Sequence, residues 1–275
     1  MTLFHDFRQL TVLEFNDITT LAGVCVAYYV YRQLITHHVL AKIALFVCIN
    51  EKVQFKFIHR GFDLIHYATS FLLGLFAIID RPYGGCFVYA KNCAEDFRQT
   101  SQCAMSELEK IYYLIFTAYY ITDMFFLYTN TSDLTTLLIH HIVTVTLIFI
   151  SVYIRTQVIG VIVMLLHDVV DIFLYGGKIL IYTGHNTAKD VTLLTFAILC
   201  TWFRMINYPL VMYNGWMNGI KEWPDHPFWY FTEGFILFAL MGCHIFWFIK
   251  ILKAAMGIFT QGSKAITDNR SDDSD

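Results

Sequence analysis

His140, His141, His167, Asp168 and Asp171 stand inside two stretches that are otherwise built of apolar residues. An imidazole can attack a carbonyl or take up a proton near neutral pH, and a carboxylate can orient an imidazole or hold a cation. The set therefore suits nucleophilic or acid–base chemistry. The two stretches read DLTTLLIHHIVTVTLIFISVY and IRTQVIGVIVMLLHDVVDIFLYGGKILIY, and each is long enough for the roughly 20 residues that cross a bilayer. At about 100° per residue, His167, Asp168, Asp171, Tyr175, Lys178 and Tyr182 share one helical stripe, while Val163, Leu166, Val170 and Leu174 fall on other faces. The same projection groups Thr136, His140, Thr144 and Ser151 on the first helix and turns His141 about 100° aside. Two polar stripes are expected to face each other. An aspartate at the centre of a membrane helix costs on the order of 3 kcal/mol on insertion scales. That is more charge than polar glue between helices needs, so the cluster is read as functional.

The elements that must position these residues are membrane helices. The chain has 275 residues, of which 57% are hydrophobic, 17% aromatic and only 15% charged, with a mean hydropathy of +0.53. That composition is outside the range of soluble domains. A net charge of -3, a pI near 6.4 and the lack of a phosphate-cradling glycine loop argue against nucleic acid. Clustered histidine and aspartate can also ligate iron or zinc. Membrane di-iron sites, however, repeat HxxxH and HxxHH spacings, and this chain has one HH and one isolated HDxxD, so no metal is expected. The first fifteen residues lack the basic flank and cleavage site of a signal peptide, which leaves targeting to the first membrane helix.

Seven spans are expected: 18–35, 62–79, 108–128, 134–153, 156–182, 191–213 and 228–259. The basic segment from Lys42 to Arg60 reads as too broken by charge to insert and is expected to lie along the membrane surface. Its His37 and His38 have no acidic stripe beside them and read as interfacial. The division is a helix plus basic segment over 1–60, a helical domain over 61–260, and an acidic tail over 261–275 that is too charged to fold. Lys42, Lys52, Lys56 and Arg60 place the first connection on the cytoplasmic side, and the C-terminus follows. The loop from Pro82 to Glu107 is then luminal, where Cys86, Cys93 and Cys103 can form a disulfide. The pair favoured there is Cys93 with Cys103. The sequon at Asn130 falls in a cytoplasmic loop and should carry no glycan.

The blocks LIHHIVTVTLIFISVY and LLHDVVDIFLYGGKILIY, with FRMINYP in the sixth span, resemble the Lag motif of ceramide synthases within the TLC-domain superfamily. The resemblance covers about residues 52 to 260, and the tail RSDDSD is similar to those of fungal and animal members. Tyr175 stands where the family commonly has glutamate, and no soluble insertion follows the first span. The resemblance implies an all-α multi-pass protein whose last six helices form a barrel around a membrane-buried cavity. It implies transfer of a fatty acyl group from acyl-CoA, as co-substrate, to a sphingoid base in the endoplasmic reticulum membrane, with no other cofactor. His140 would form an acyl-imidazole, with His141 as the alternative nucleophile. His141 or His167 would be the base, and Asp168 and Asp171 would orient an imidazole or hold the ammonium.

Thr144, Tyr175, Lys178, Arg204, Asn207 and Tyr208 complete the candidate set as substrate-binding residues. Arg204 would pair with an aspartate or meet a CoA phosphate, and Lys178 would attract those phosphates or snorkel. Partners would be membrane lipids and a second subunit, either another copy or a small regulatory membrane protein. Other members of the superfamily act in translocon association or lipid binding, and these are the non-enzymatic alternative. A proton-coupled transporter fits less well, because no pair of broken helices recurs in matching halves.

Overall fold

Residues 10–11, 17–48, 50–91, 93, 105–127, 134–154, 156–217 and 227–261 are described by a computed structural model of the chain. A two-residue antiparallel ladder joins β1 (Leu10–Thr11) to β2 (Met105–Ser106), and all other regular structure is helical. In chain order the helices are α1 (Asp17–Leu34), α2 (Ala41–Val47), α3 (Glu51–Ile78), α4 (Cys86–Tyr89), α5 (Glu107–Leu127), α6 (Leu134–Tyr153), α7 (Gln157–Tyr182), α8 (Asn186–Cys200), α9 (Tyr208–Val211) and α10 (Pro227–Gln261). Widened π-helical turns run through Ile35–Leu40, Thr201–Asn207 and Met212–Met217, so α1 passes into α2 and α8 into α9. Six of the resulting helical stretches are long and apolar enough to cross a membrane, and the protein is an all-α multi-pass membrane protein. The remaining long helix, α5, has 21 residues and carries Glu107, Glu109, Lys110 and Asp123, which lowers its apolarity.

Helices α3, α5, α6, α10, α8 and α7 pack in that order, and α7 closes on α3, which makes a ring. Helix α1 packs outside the ring against α5. Close approach within the ring needs small residues. At Gly74 on α3, an added Cβ would lie 2.7 Å from the Tyr112 ring and 2.8 Å from Leu165, so only glycine lets α3 meet α5 and α7 at this height. Helix α7 ends at Gly184, whose φ of 76° turns the chain. There the Gly184 N–H donates to Ile181 O and the His185 N–H to Leu180 O, which satisfies the last carbonyls.

Two expectations change. Lys42 to Arg60 is not a separate surface segment: it forms α2, a turn around Asn50, and the first turns of α3, which starts eleven residues before the expected Phe62. The Asn50 side chain accepts from the Val53 N–H at 2.9 Å and fixes that start. A helix of 28 residues is about 42 Å long. It exceeds the roughly 30 Å hydrocarbon core, so its basic end tolerates the interface while the rest spans. In the second change, Cys93 bonds Cys86 rather than Cys103. The left-handed turn at Ala90 folds the chain back after α4 and brings the two Cα atoms to 4.9 Å, a local closure that spacing alone does not reveal. Cys103, Asn130 and the tail lie outside the described residues. His37 and His38 are exposed, with His37 against Gln33.

Candidate active site

His140 and His141 are consecutive on α6 and point to different neighbours. His140 is buried, its ring 5.0 Å from that of Trp247 on α10 and 6.1 Å from that of His167 on α7. Its Nδ1 has no hydrogen-bond partner among the described residues. His141 has both ring nitrogens engaged, Nδ1 with Leu137 O at 2.9 Å and Nε2 with Asp123 Oδ2 at 3.1 Å. Asp123 in turn accepts from Arg32 of α1 at 2.6 Å. Of the two histidines, His140 is the one with a ring nitrogen left without a partner among the described residues. His141 is held as part of an ion-pair network.

His167 meets Val163 O through Nδ1 at 2.7 Å and His244 Nε2 through its own Nε2 at 2.8 Å. His244, on α10, is 2% exposed, and its Nδ1 is buried without a partner. Sequence reading missed this residue because it is a lone histidine in an apolar run, with no acidic neighbour to mark it. Trp247 was the available signal: residues three apart on a helix share a face, so His244 stands on the same side of α10 as Trp247, whose ring packs on His140.

The two aspartates do not share one task. Asp168 Oδ2 accepts from Ser70 at 2.7 Å and Tyr112 at 2.9 Å, which ties α7 to α3 and α5. Asp171 pairs with Arg204 at 2.7 Å, and Arg204 also donates to His167 O at 3.2 Å. Arg204 is thus an ion-pair partner that braces the backbone under His167. Asn207 donates to Phe87 O at 2.5 Å and binds the sixth span to α4, away from the histidines. The Tyr208 ring lies 4.9 Å from His244, and its hydroxyl donates to Leu237 O at 2.9 Å. Tyr175 stacks on Tyr67 at 5.3 Å with the Arg60 guanidinium 5.8 Å from its centroid. Lys178 is buried one turn before the end of α7.

A partly open cavity with mainly apolar walls lies between α5, α6, α7 and α10. Thr144, whose hydroxyl has no partner among the described residues, and His167 line one end. At the other end are Ser151, bonded to the Tyr113 hydroxyl, and Glu233, which accepts from Thr156 at 2.5 Å. Thr156 to Glu233 and His167 to His244 are separated by the same 77 positions. Helices α7 and α10 therefore run parallel in register, pinned twice about 16 Å apart with the cavity between the pins. Polar side chains at two ends of an apolar slot suit a ligand with a long apolar chain and a reactive head.

The TLC domain model matches residues 56–253. Ceramide synthase LOH1 of Arabidopsis thaliana is 26% identical over 97% of this chain and 94% of its own length. Human ceramide synthase 1 is 31% identical over 46% of the chain and 39% of its own length, and ceramide synthase hyl-2 of Caenorhabditis elegans is 25% identical over 89% and 80%. The family match covers the whole ring from α3 to α10, with the histidines, the aspartates and the cavity inside it, and the chain belongs to the TLC-domain family.

Proposed function

We propose that the protein is a ceramide synthase that transfers a fatty acyl group from acyl-CoA to the amine of a sphingoid base. One observation carries the reading: His140 holds an imidazole nitrogen without a partner among the described residues, and its ring lies 6.1 Å from that of His167, which lines the polar end of an apolar cavity. A thioester placed there would have its acyl chain along the cavity and its carbonyl at His140. The imidazole attacks the carbonyl, the C–S bond breaks, and the thiolate leaves with its electron pair and takes the ring proton. The acyl-imidazole so formed is reactive toward an amine and, in an apolar slot, is shielded from water.

Arg204 and Asp171 keep His167 in place for the second half of the reaction, and Asp168 locks α7 to its neighbours. The names of the relatives support the same substrates. The Cys86–Cys93 disulfide supports a luminal loop between α3 and α5, since such bonds persist in oxidising compartments. Lys42 on α2 and Lys52 and Lys56 at the other end of α3 then face the cytosol, in accord with an endoplasmic reticulum protein whose C-terminus is cytoplasmic. Mass spectrometry of membranes that contain the chain, supplied with acyl-CoAs of several lengths and sphinganine, should detect ceramide. His140→Ala should abolish it, and ceramide formed at the wild-type rate by His140→Ala would refute the reading.

A further inference from the structure

The fixed acceptors of the site determine which imidazole nitrogen is free. Val163 O can only accept, so His167 Nδ1 carries the proton between them and Nε2 of the neutral ring is a bare lone pair. His244 Nε2, 2.8 Å away, then donates to that lone pair. The bare nitrogen of His244 is Nδ1, which is buried with no partner among the described residues. His141 has no bare nitrogen to offer, because both of its nitrogens are engaged. Among the histidines of the cluster, free nitrogens therefore exist on His140 and His244 only.

We propose that His244 Nδ1 is the general base that deprotonates the incoming amine, and that His167 is a positioning residue for it. The proposal rests on the acyl-histidine reading above and names the group that serves its second half. The ammonium gives one proton to His244 Nδ1. The freed amine attacks the acyl carbonyl on His140, and a C–N bond to the amine forms as the bond to the imidazole breaks. The electron pair returns to His140, which takes the second amine proton and is neutral again. The imidazolium of His244 then passes its proton to water. While charged, it keeps Nε2–H on the His167 lone pair, a charge-assisted hydrogen bond that is stronger than the neutral one.

His167 stays fixed throughout, gripped at Nδ1 by Val163 O and braced from behind by Arg204. The groups packed around His244 are His167, the Tyr208 ring and, through Trp247, His140; the Arg204–Asp171 pair lies behind His167. Arg204 is itself paired with Asp171 at 2.7 Å.

The test uses the full chain, purified in detergent, with radiolabelled palmitoyl-CoA. Release of CoA thiol without amine reports the first half, and transfer to sphinganine or to hydroxylamine reports the second. Hydroxylamine is unprotonated at neutral pH and needs no base to attack. His244→Gln places an amide N–H where Nε2 was, which preserves the donor to His167 and removes the base. We expect its thiol burst to persist and transfer to sphinganine to fall about a hundredfold, the scale of a lost general base. Raising the pH toward the amine pKa should restore transfer to sphinganine, and hydroxylamine transfer should stay near wild type. His244→Asn, which fills the Nδ1 side instead, should lose transfer in the same selective way.

Wild-type transfer to sphinganine by either variant would overturn the proposal. So would equal loss of the burst and of hydroxylamine transfer, which would make His244 structural. A wild-type protein without a burst would refute the acyl-histidine intermediate itself. Overall amide formation by His244→Gln would still decide the base: an unchanged rate overturns it, and a loss that recovers with rising pH supports it.

Discussion

His140 and His141 are neighbours in sequence, yet they face two regions built on opposite principles. On the side of His141, ion pairs and hydrogen bonds dominate: Arg32 to Asp123, Asp123 to His141, Arg60 to Asp63, Tyr28 to His66, with His66 Nε2 left unsatisfied among the described residues. On the side of His140, Thr144, His140, His244 and Glu233 each keep a buried polar atom that no described residue satisfies. An unsatisfied buried polar atom costs about 1–3 kcal/mol. A protein can bear that only where the atom has another use, such as a substrate. The matched region holds α1 to the ring through α5, and the unmatched one lies at and beside the cavity. Paired buried polarity serves structure, and the unpaired atoms beside the cavity are the ones placed for chemistry.

The sharpest break of this contrast is between the two histidines themselves. His140→Ala should lower acyl transfer about a thousandfold or more, as expected for a lost nucleophile, with the unfolding midpoint in detergent unchanged. His141→Ala should do the reverse, with a lower midpoint and residual activity that follows the folded fraction. Parallel thermal melts and ceramide assays check both, and a stable but inactive His141→Ala would dissolve the distinction.

The next effect belongs to the matched region alone. Asp123→Ala leaves the Arg32 guanidinium, 2% exposed, without its carboxylate. Stranding a buried charge in this way costs about 3–5 kcal/mol. Pairing Arg32→Met with Asp123→Leu should recover most of that loss, because two apolar groups need no partner. Unfolding midpoints of the single and double variants decide it. If the double variant is no more stable than the single one, the network is not the ion pair it is taken for.

The fold was legible because membrane spans follow length and apolarity: α6 was read to the residue, and α7, α5 and α10 to within one or two. The start of α3 was not legible, since its lysines looked uninsertable until the helix proved long enough to carry them past the hydrocarbon. Half of the site was legible. His140, His167 and Thr144 sit together, as their stripes implied. Asp168 and Asp171 shared a stripe in projection, yet three residues on a helix are about 60° short of a full turn. That offset sends one to Ser70 and Tyr112 and the other to Arg204. Asp123 and His244 were missed because each is a single polar residue whose partner lies on a distant helix.

A smaller effect tests whether matching extends to the far end of α3. Cys93→Ser opens a loop of sequence separation 7, which should cost about 2 kcal/mol by the chain-entropy model. Asn207 still anchors Phe87 O, so α4 should stay docked and acyl transfer should remain near wild type. Unfolding midpoints and ceramide assays of the variant measure the two separately. A large loss of transfer would mean that the loop takes part in the reaction.

Tyr175 supplies the smallest expected effect and marks the border of the two regions. It lies on the stripe with His167 and Asp171, which made it a substrate-binding candidate, but its ring stacks on Tyr67 and sits below Arg60. Arg60 already pairs with Asp63 at 3.1 Å. The ceramide synthases that the motif resembles commonly carry glutamate here, and a glutamate would offer the same guanidinium a carboxylate in place of an aromatic face. Both arrangements attract a cation, the aromatic one by about 0.5–2 kcal/mol. Tyr175→Glu should therefore change stability by less than about 1 kcal/mol, since one attraction replaces another at the same guanidinium. The rate should hold as well, because Tyr175 belongs to the matched side and touches no free nitrogen. If Tyr175→Glu instead raised or lowered the transfer rate tenfold at unchanged stability, the cavity chemistry would reach past Asp171, and the border between the regions would have to move toward α3.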